Sequence, residues 1–299
     1  MGCLFAAKLK KSGNNVTLLD YRPDRARLIS QKGLNVEGIS GHDSVRVDVL
    51  AEMPSQPIDV VLFCVKANNT RQAVEGIAPR LQSGTLILTL QNGLGNMETL
   101  VDVLGRDRVL GGITQEGATV IGPGHIRHAG QGETVFGPSK MHSTCIQQIV
   151  SVFRTAGFST RSVKDVKGLI WGKLVINTGI NALAAITGLR NGQLPHVPGT
   201  NQLMRLAVQE AVEVANAKGV LLPYPDPLRR VMEVCKATAG NVASMLQDIS
   251  SKRPTEVDFI NGAIVKEGQM AGIKTPVNQT LTLLIRTIQE TYDQRVGCV

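Results

Sequence analysis

The sequence predicts a doubly wound α/β unit followed by an all-helical unit. Two observations carry this. Up to Val163, short β-rich or continuously apolar runs alternate with helical segments, and after about Lys164 the β signal disappears while apolar residues recur at helical spacing. The boundary falls between Arg161 and Val166, giving expected domains of residues 1–163 and 164–299. A chain of 299 residues has room for two such units, each with a core that needs no disulfide or structural metal.

The elements follow in order. Met1 to Leu9 reads as an apolar helix that begins at the first residue, and Val16 to Asp20 as a short strand after the turn-like Gly13-Asn14-Asn15. Pro23 to Lys32 is a helix with proline in its first turn and Gly33 just past its end. Val60 to Val65 and Thr85 to Thr89 are continuous apolar runs, as expected of strands covered on both faces. Helices are expected at Thr70 to Leu81 and Asn96 to Leu104, and a further strand at Val109 to Thr114. Gly117 to Gly137 breaks into short β segments, Ser143 to Ala156 is a helix, and Ser159 to Val163 a last strand. Five helical segments then follow: Val166 to Leu183, Thr200 to Lys218, Pro227 to Lys236, Thr255 to Ala271 and Val277 to Gln294.

Composition narrows the function. The net charge is +8, yet the densest basic group is only Lys8, Lys10 and Lys11, without the concentrated stripe that nucleic-acid binding needs. One Trp, three Tyr and six Phe leave little material for base stacking. The excess positive charge suits attraction of anionic small molecules. Five widely spread cysteines, never in a C-x-x-C pair, argue for a reducing compartment, expected to be the cytoplasm, and against a zinc site or other metal centre. Leu174 to Leu189 is uncharged but too short and too polar to span a bilayer, so no membrane association is expected.

Several residues stand where ligands are held in open α/β sheets. Gly2, at the start of the first helix, and Asp20, at the end of the following strand, fit the last glycine and the acidic residue of a dinucleotide-binding βαβ unit. Asp20 favours a ribose hydroxyl and Arg22 a 2′-phosphate, so both cofactor forms stay open at this point. Lys66 and Asn92-Gly93 each follow a buried strand, the usual place for ligand contacts, although an exposed lysine and a simple turn would read the same way. Lys173, Asn177 and Asn181 are spaced i, i+4, i+8 and so share one face of an otherwise apolar helix. A solvated stripe would use better helix formers than Asn, so this face suits a ligand, and a partly desolvated Lys173 suits proton donation. Ser244 to Asp248 and Arg253 to Asp258 form a second polar cluster, in which Pro254 and Glu256 also read as a plain helix start.

Taken together, Val16 to Asp20, Val65-Lys66, Gln91 to Asn96, Lys173 with Asn177 and Asn181, and Ser244 to Asn261 resemble the ketopantoate reductase family, in order and across nearly the whole chain. The resemblance implies a Rossmann domain, a helical substrate domain, and NADPH-dependent reduction of ketopantoate to pantoate on the route to coenzyme A. It implies Lys173 and Glu256 as catalytic residues, and Asn177, Asn181, Ser244 and Asn92 as substrate-binding residues. Gly2, Arg22, Lys66 and Asn92 are implied as contacts to NADP(H). The substrate is a small 2-keto acid; a reductase for another such acid, and a non-catalytic member with weakened cofactor binding, are the alternatives. Two long helices could support a homodimer. Family members begin with a strand and a glycine-rich turn, whereas here Met1-Gly2 matches only the end of that turn, so the first strand and two glycines are expected upstream of Met1.

Overall fold

A computed structural model describes residues 1–137 and 143–295, the side chains of Ser143 and Thr144 excepted; the thiol of Cys298 lies outside the described residues. The backbone divides into two compact units, residues 1–91 with 96–166, and residues 92–95 with 167–299.

The first unit runs α1 (Gly2–Lys11), β1 (Thr17–Leu19), α2 (Pro23–Lys32), β2 (Leu34–Gly38), β3 (Asp43–Val45), β4 (Asp48–Leu50) and β5 (Val60–Phe63). It continues with α3 (Thr70–Ile77), β6 (Leu86–Thr89), α4 (Asn96–Leu104), β7 (Val109–Thr114), β8 (Gly117–Gly122), β9 (His125–Gly130), β10 (Thr134–Gly137), α5 (Ser143–Thr155) and β11 (Thr160–Ser162). The five-stranded sheet has the order β11-β10-β7-β6-β5, with β5, β6 and β7 parallel and β10 antiparallel to β7. The apolar runs of β5 to β7 supply both faces at once. Phe63, Ile87 and Val109 pack with Val74, Ile77 and Leu100 of α3 and α4. Leu88 and Leu110, with the half-buried Val60 and Leu62, join the core built by Leu4 and Phe5 of α1 and Ile149, Val150 and Phe153 of α5. Four of the six phenylalanines meet there: Phe153 lies 5.8, 5.7 and 5.6 Å, centroid to centroid, from Phe5, Phe136 and Phe158.

A second pair, β1 with β4, is parallel in the register Leu18 to Val49, and among the described strands it is not hydrogen-bonded to the five-stranded sheet. The start of α1 packs against both pieces, since a Cβ on Gly2 would lie 3.4 Å from Cys64 Cβ and 3.8 Å from Leu18 Cδ1. A separate four-stranded sheet, β3-β2-β9-β8, contains two strands, β2 and β3, that were not expected, and β4 is a third. The fold is thus Rossmann-like α/β followed by helices.

The second unit contains α6 (Lys167–Thr187), α7 (Pro198–Ala217), α8 (Pro227–Ala237), α9 (Ser244–Ser250), α10 (Asn261–Ala271) and α11 (Pro276–Glu290). Helix α6 is apolar nearly all round because it is the core helix of this unit. Its length and composition would also suit a membrane span, but two-thirds of its apolar window is buried inside the protein. Gly172 and Gly179 admit close neighbours: a Cβ would meet Pro223 Cγ at 2.7 Å at the first and Val208 Cγ2 at 2.8 Å at the second. The helix expected over Thr255 to Ala271 starts later than its sequence suggests. Val257–Phe259 is a single 3₁₀ turn, and α10 begins at Asn261.

Candidate active site

In the first unit, Asp20, Arg22 and Lys66 lie shortly past the ends of strands, and Gly2 lies at the start of a helix. Asp20 follows β1 and is 7% exposed, and its carboxylate is already engaged. Oδ1 accepts from Arg22 N at 3.0 Å and Arg25 Nη2 at 2.9 Å, while Oδ2 accepts from Arg25 Nε at 2.5 Å. Arg25 sits in the first turn of α2, which brings it back over the strand end, and its guanidinium also lies 5.7 Å from the exposed Tyr21 ring. The carboxylate raises the pKa of Arg25 further. Asp20 therefore orients a cation and the turn, while the side chain of Arg22 stays exposed. Gly2 opens α1, whose first N–H groups point out of the helix unpaired by its own backbone. Lys66 is exposed, three residues past the end of β5.

Gln91, two residues past β6, has a structural task. Its Nε2 donates to Val65 O and Thr70 Oγ1, both at 2.8 Å, and its Oε1 accepts from Thr89 Oγ1 at 2.9 Å. These bonds tie the end of β6 to the backbone just before Lys66, so the loop that carries the lysine is fixed from the neighbouring strand.

The next residues, Asn92 to Gly95, pack with the second unit. Gly93 has φ +85°, and a Cβ there would fall 2.3 Å from Phe259 O, so only glycine permits this approach. Leu94 N donates to the same carbonyl at 2.9 Å, and Phe259 N donates to Glu256 O at 3.0 Å. Asn92 is thereby linked through the 3₁₀ turn to the backbone of Glu256.

On α6 the three polar residues share a face as their spacing requires. Lys173 and Asn177 are half-buried and Asn181 is 6% exposed. Burial strips water from the Lys173 ammonium and lowers its pKa from the usual 10.5 to about 8, the carboxylate of Glu256 partly opposing the fall. Glu256 is itself 6% exposed, so it is not the solvated helix-start acid that its sequence context also allowed. That reading is corrected here: Pro254 and Glu256 precede a 3₁₀ turn, and Glu256 enters the interior toward Lys173. Ser244 is the exposed first residue of α9, a helix that packs against α6. A half-desolvated amine under the electrostatic influence of a buried carboxylate, with two amides on the same helix face, can hydrogen-bond a carbonyl oxygen and give it a proton. Arg25 and Phe259 were not found by sequence reasoning. The five-residue interval from Asp20 to Arg25 crosses a strand end and a turn, so no periodicity reports it; Phe259 acts through its carbonyl, which no side-chain pattern reports.

Residues 1–140 match the family described as "Ketopantoate reductase PanE/ApbA", and residues 165–289 match "Ketopantoate reductase PanE/ApbA C terminal". A 2-dehydropantoate 2-reductase of Halobacterium salinarum is 34% identical over 97% of this chain and 96% of its own length. One from Vibrio cholerae is 30% identical over 98% and 96%. The crystal structure of a PanE/ApbA family ketopantoate reductase from Ralstonia eutropha JMP134 superposes with a TM-score of 0.90 at 33% identity, covering 98% of this chain and 96% of that one. A ternary structure of D-mandelate dehydrogenase with NADH and anilino(oxo)acetate gives a TM-score of 0.91 at 23% identity, over 97% and 96% of the two chains, a likeness of fold.

Proposed function

The chain belongs to the ketopantoate reductase family, and from this premise we propose that it reduces the ketone of 2-dehydropantoate to the alcohol of pantoate with NADPH. The observation that carries the reading is Lys173: an amine on a buried helix, beside a buried carboxylate, with a pKa of about 8.

In this reading residues 1–163 hold the cofactor and residues 164–299 the keto acid, a division supported by the separation of backbone contacts after Val166. The donors of the first unit fit a phosphorylated dinucleotide. Arg22 and Lys66 are cationic side chains shortly after β1 and β5, and the first N–H groups of α1 form a helix N-terminus. The neutralisation of Asp20 by Arg25 removes the negative charge that would repel a 2′-phosphate, which favours NADPH over NADH. When bound, the cofactor supplies a hydride to the ketone carbon.

The chain's own residues do the rest. The Lys173 ammonium hydrogen-bonds the ketone oxygen, stabilises the negative charge that develops there, and gives up one proton to make the hydroxyl. Glu256 keeps the amine charged before transfer and orients it. Asn177, Asn181, Ser244 and Asn92 are assigned to the hydroxyl and carboxylate groups of the substrate. A panel of 2-keto acids with NADPH and NADH, with cofactor oxidation followed by absorbance and the product identified by chromatography, tests the reading. Fastest turnover with 2-dehydropantoate and NADPH supports it, and a preference for another keto acid refutes it.

A further inference from the structure

We propose that Asn261 is a positioning residue that sets the distance between the turn carrying Glu256 and the helix carrying Lys173. The inference rests on the roles just assigned to those two residues.

Asn261 is fully buried at the first position of α10, five residues after Glu256. The intervening turn is tight, with Phe259 N on Glu256 O at 3.0 Å and Ile260 N on Val257 O at 3.1 Å, so a displacement of Asn261 is passed to Glu256. The Asn261 side chain donates from Nδ2 to Thr178 O of α6 at 3.2 Å and to Asn278 Oδ1 at 2.9 Å. Thr178 lies between Asn177 and Asn181, little more than one helical turn beyond Lys173. The bond therefore ties the Glu256 turn to the backbone of the stretch of α6 that carries the polar stripe.

The second bond is held in turn. Asn278 is fully buried on α11, and its Nδ2 donates to Ala207 O at 3.0 Å and Glu210 Oε2 at 2.7 Å. Glu210, on α7 and 8% exposed, also accepts from Val277 N at 2.8 Å and Asn278 N at 2.9 Å, and so caps the first turn of α11. A carboxylate with three N–H donors is a strong fixed point. It orients the Asn278 amide, which presents its oxygen to Asn261, which presents its remaining N–H to α6. An amide is needed at position 261 because one NH₂ must serve two acceptors on different helices. Buried orphans at this crossing, Asn261 Oδ1 and Thr178 Oγ1, show that polar groups are kept here at a cost in desolvation, as a positioning device requires and simple packing does not.

The test reads the Lys173 amine directly, by pH-dependent acetylation with acetic anhydride followed by peptide mass spectrometry, alongside kcat, in Asn261→Ala and in Asn278→Ser. Withdrawing the Glu256 carboxylate removes the influence that raises the Lys173 pKa, so the titration midpoint moves downward, in the same sense as in Glu256→Gln and by about half a pH unit or more, with kcat falling in parallel. A folded variant with that downward shift supports the proposal, and an upward shift, which reports only the entry of water, overturns it. A folded Asn261→Ala with unchanged midpoint and kcat overturns it. Should Asn261→Ala fail to fold, Asn278→Ser decides by the same readout; if neither folds, the network is only a folding element and the proposal falls. The amine titration is independent of turnover. A downward shift in a protein that reduces no keto acid upholds the positioning role and refutes the reaction instead.

Discussion

Arg25 clasps Asp20 with two hydrogen bonds, Nη2 to Oδ1 at 2.9 Å and Nε to Oδ2 at 2.5 Å, at the strand end where a dinucleotide-binding fold reads the adenosine ribose. In the proposed reading, an acid that would favour a free 2′-hydroxyl is paired with a cation instead. Substituting Arg25→Ala frees the carboxylate. The expected outcome is weaker binding of NADPH with little loss for NADH, shifting the preference by roughly tenfold or more, the worth of one charge-assisted contact. Fluorescence titration with each cofactor measures it; an unchanged ratio counts against this role for Arg25.

The amine of Lys173 gives a pH signature. Its pKa is lowered to about 8, so the proton it donates is present at neutral pH and lost above that value. The kcat for reduction should be level near neutrality and decline as pH rises through about 8. Glu256 raises this pKa, so Glu256→Gln should move the decline to lower pH as well as reduce kcat. A decline that stays in place in that variant would show that Glu256 does not govern the amine.

Gly93 is the position where the loop after β6 touches the 3₁₀ turn behind Glu256. Gly93→Ala places a methyl group 2.3 Å from Phe259 O on a backbone with φ +85°. The loop must move, losing the bond from Leu94 N, at a cost of about 1–3 kcal/mol for the strained conformation alone. Chemical denaturation measures the loss, and KM for the keto acid should rise if Asn92 moves with its neighbour.

The phenylalanine cluster makes a prediction about stability alone. Phe153 is 3% exposed and contacts three other rings. Phe153→Ala should cost about 3–5 kcal/mol, as large-to-small changes at buried aromatic sites do. Equilibrium unfolding checks it, and a loss below about 1 kcal/mol would mean the cluster is loosely packed.

Much of this was legible in the sequence where one physical signal dominates. Pro23 and Gly33 bracket α2 at its observed ends, and Gly33 takes φ +75° while its N–H closes on Ile29 O at 2.7 Å. The continuous apolar run of β6 reports a strand covered on both faces, whereas β5, at the edge of its sheet, is only half-buried over Val60 to Leu62. The i, i+4, i+8 spacing placed Lys173, Asn177 and Asn181 on one side of α6 because the helical repeat alone decides it. Strands β2, β3 and β4 escaped notice: they are three to five residues long and half exposed, so their pairing is set by partners such as β9 rather than by local pattern. Glu256 looked like the first turn of a helix because Pro254 precedes it. The chain instead spends a 3₁₀ turn there, held by Phe259 N on Glu256 O and by Thr255 N on Gln289 Oε1, a residue 34 positions away. Long-range contacts of this kind leave no trace in a local window.

The central claim is that Lys173 delivers the proton in reduction of 2-dehydropantoate. Steady-state kinetics of Lys173→Ala, with NADPH affinity measured on the same preparation, tests it most directly. A kcat lower by roughly 10²–10⁴-fold, the contribution of a positioned general acid, with NADPH binding unchanged, is the result expected. Turnover near that of the parent protein would contradict the account.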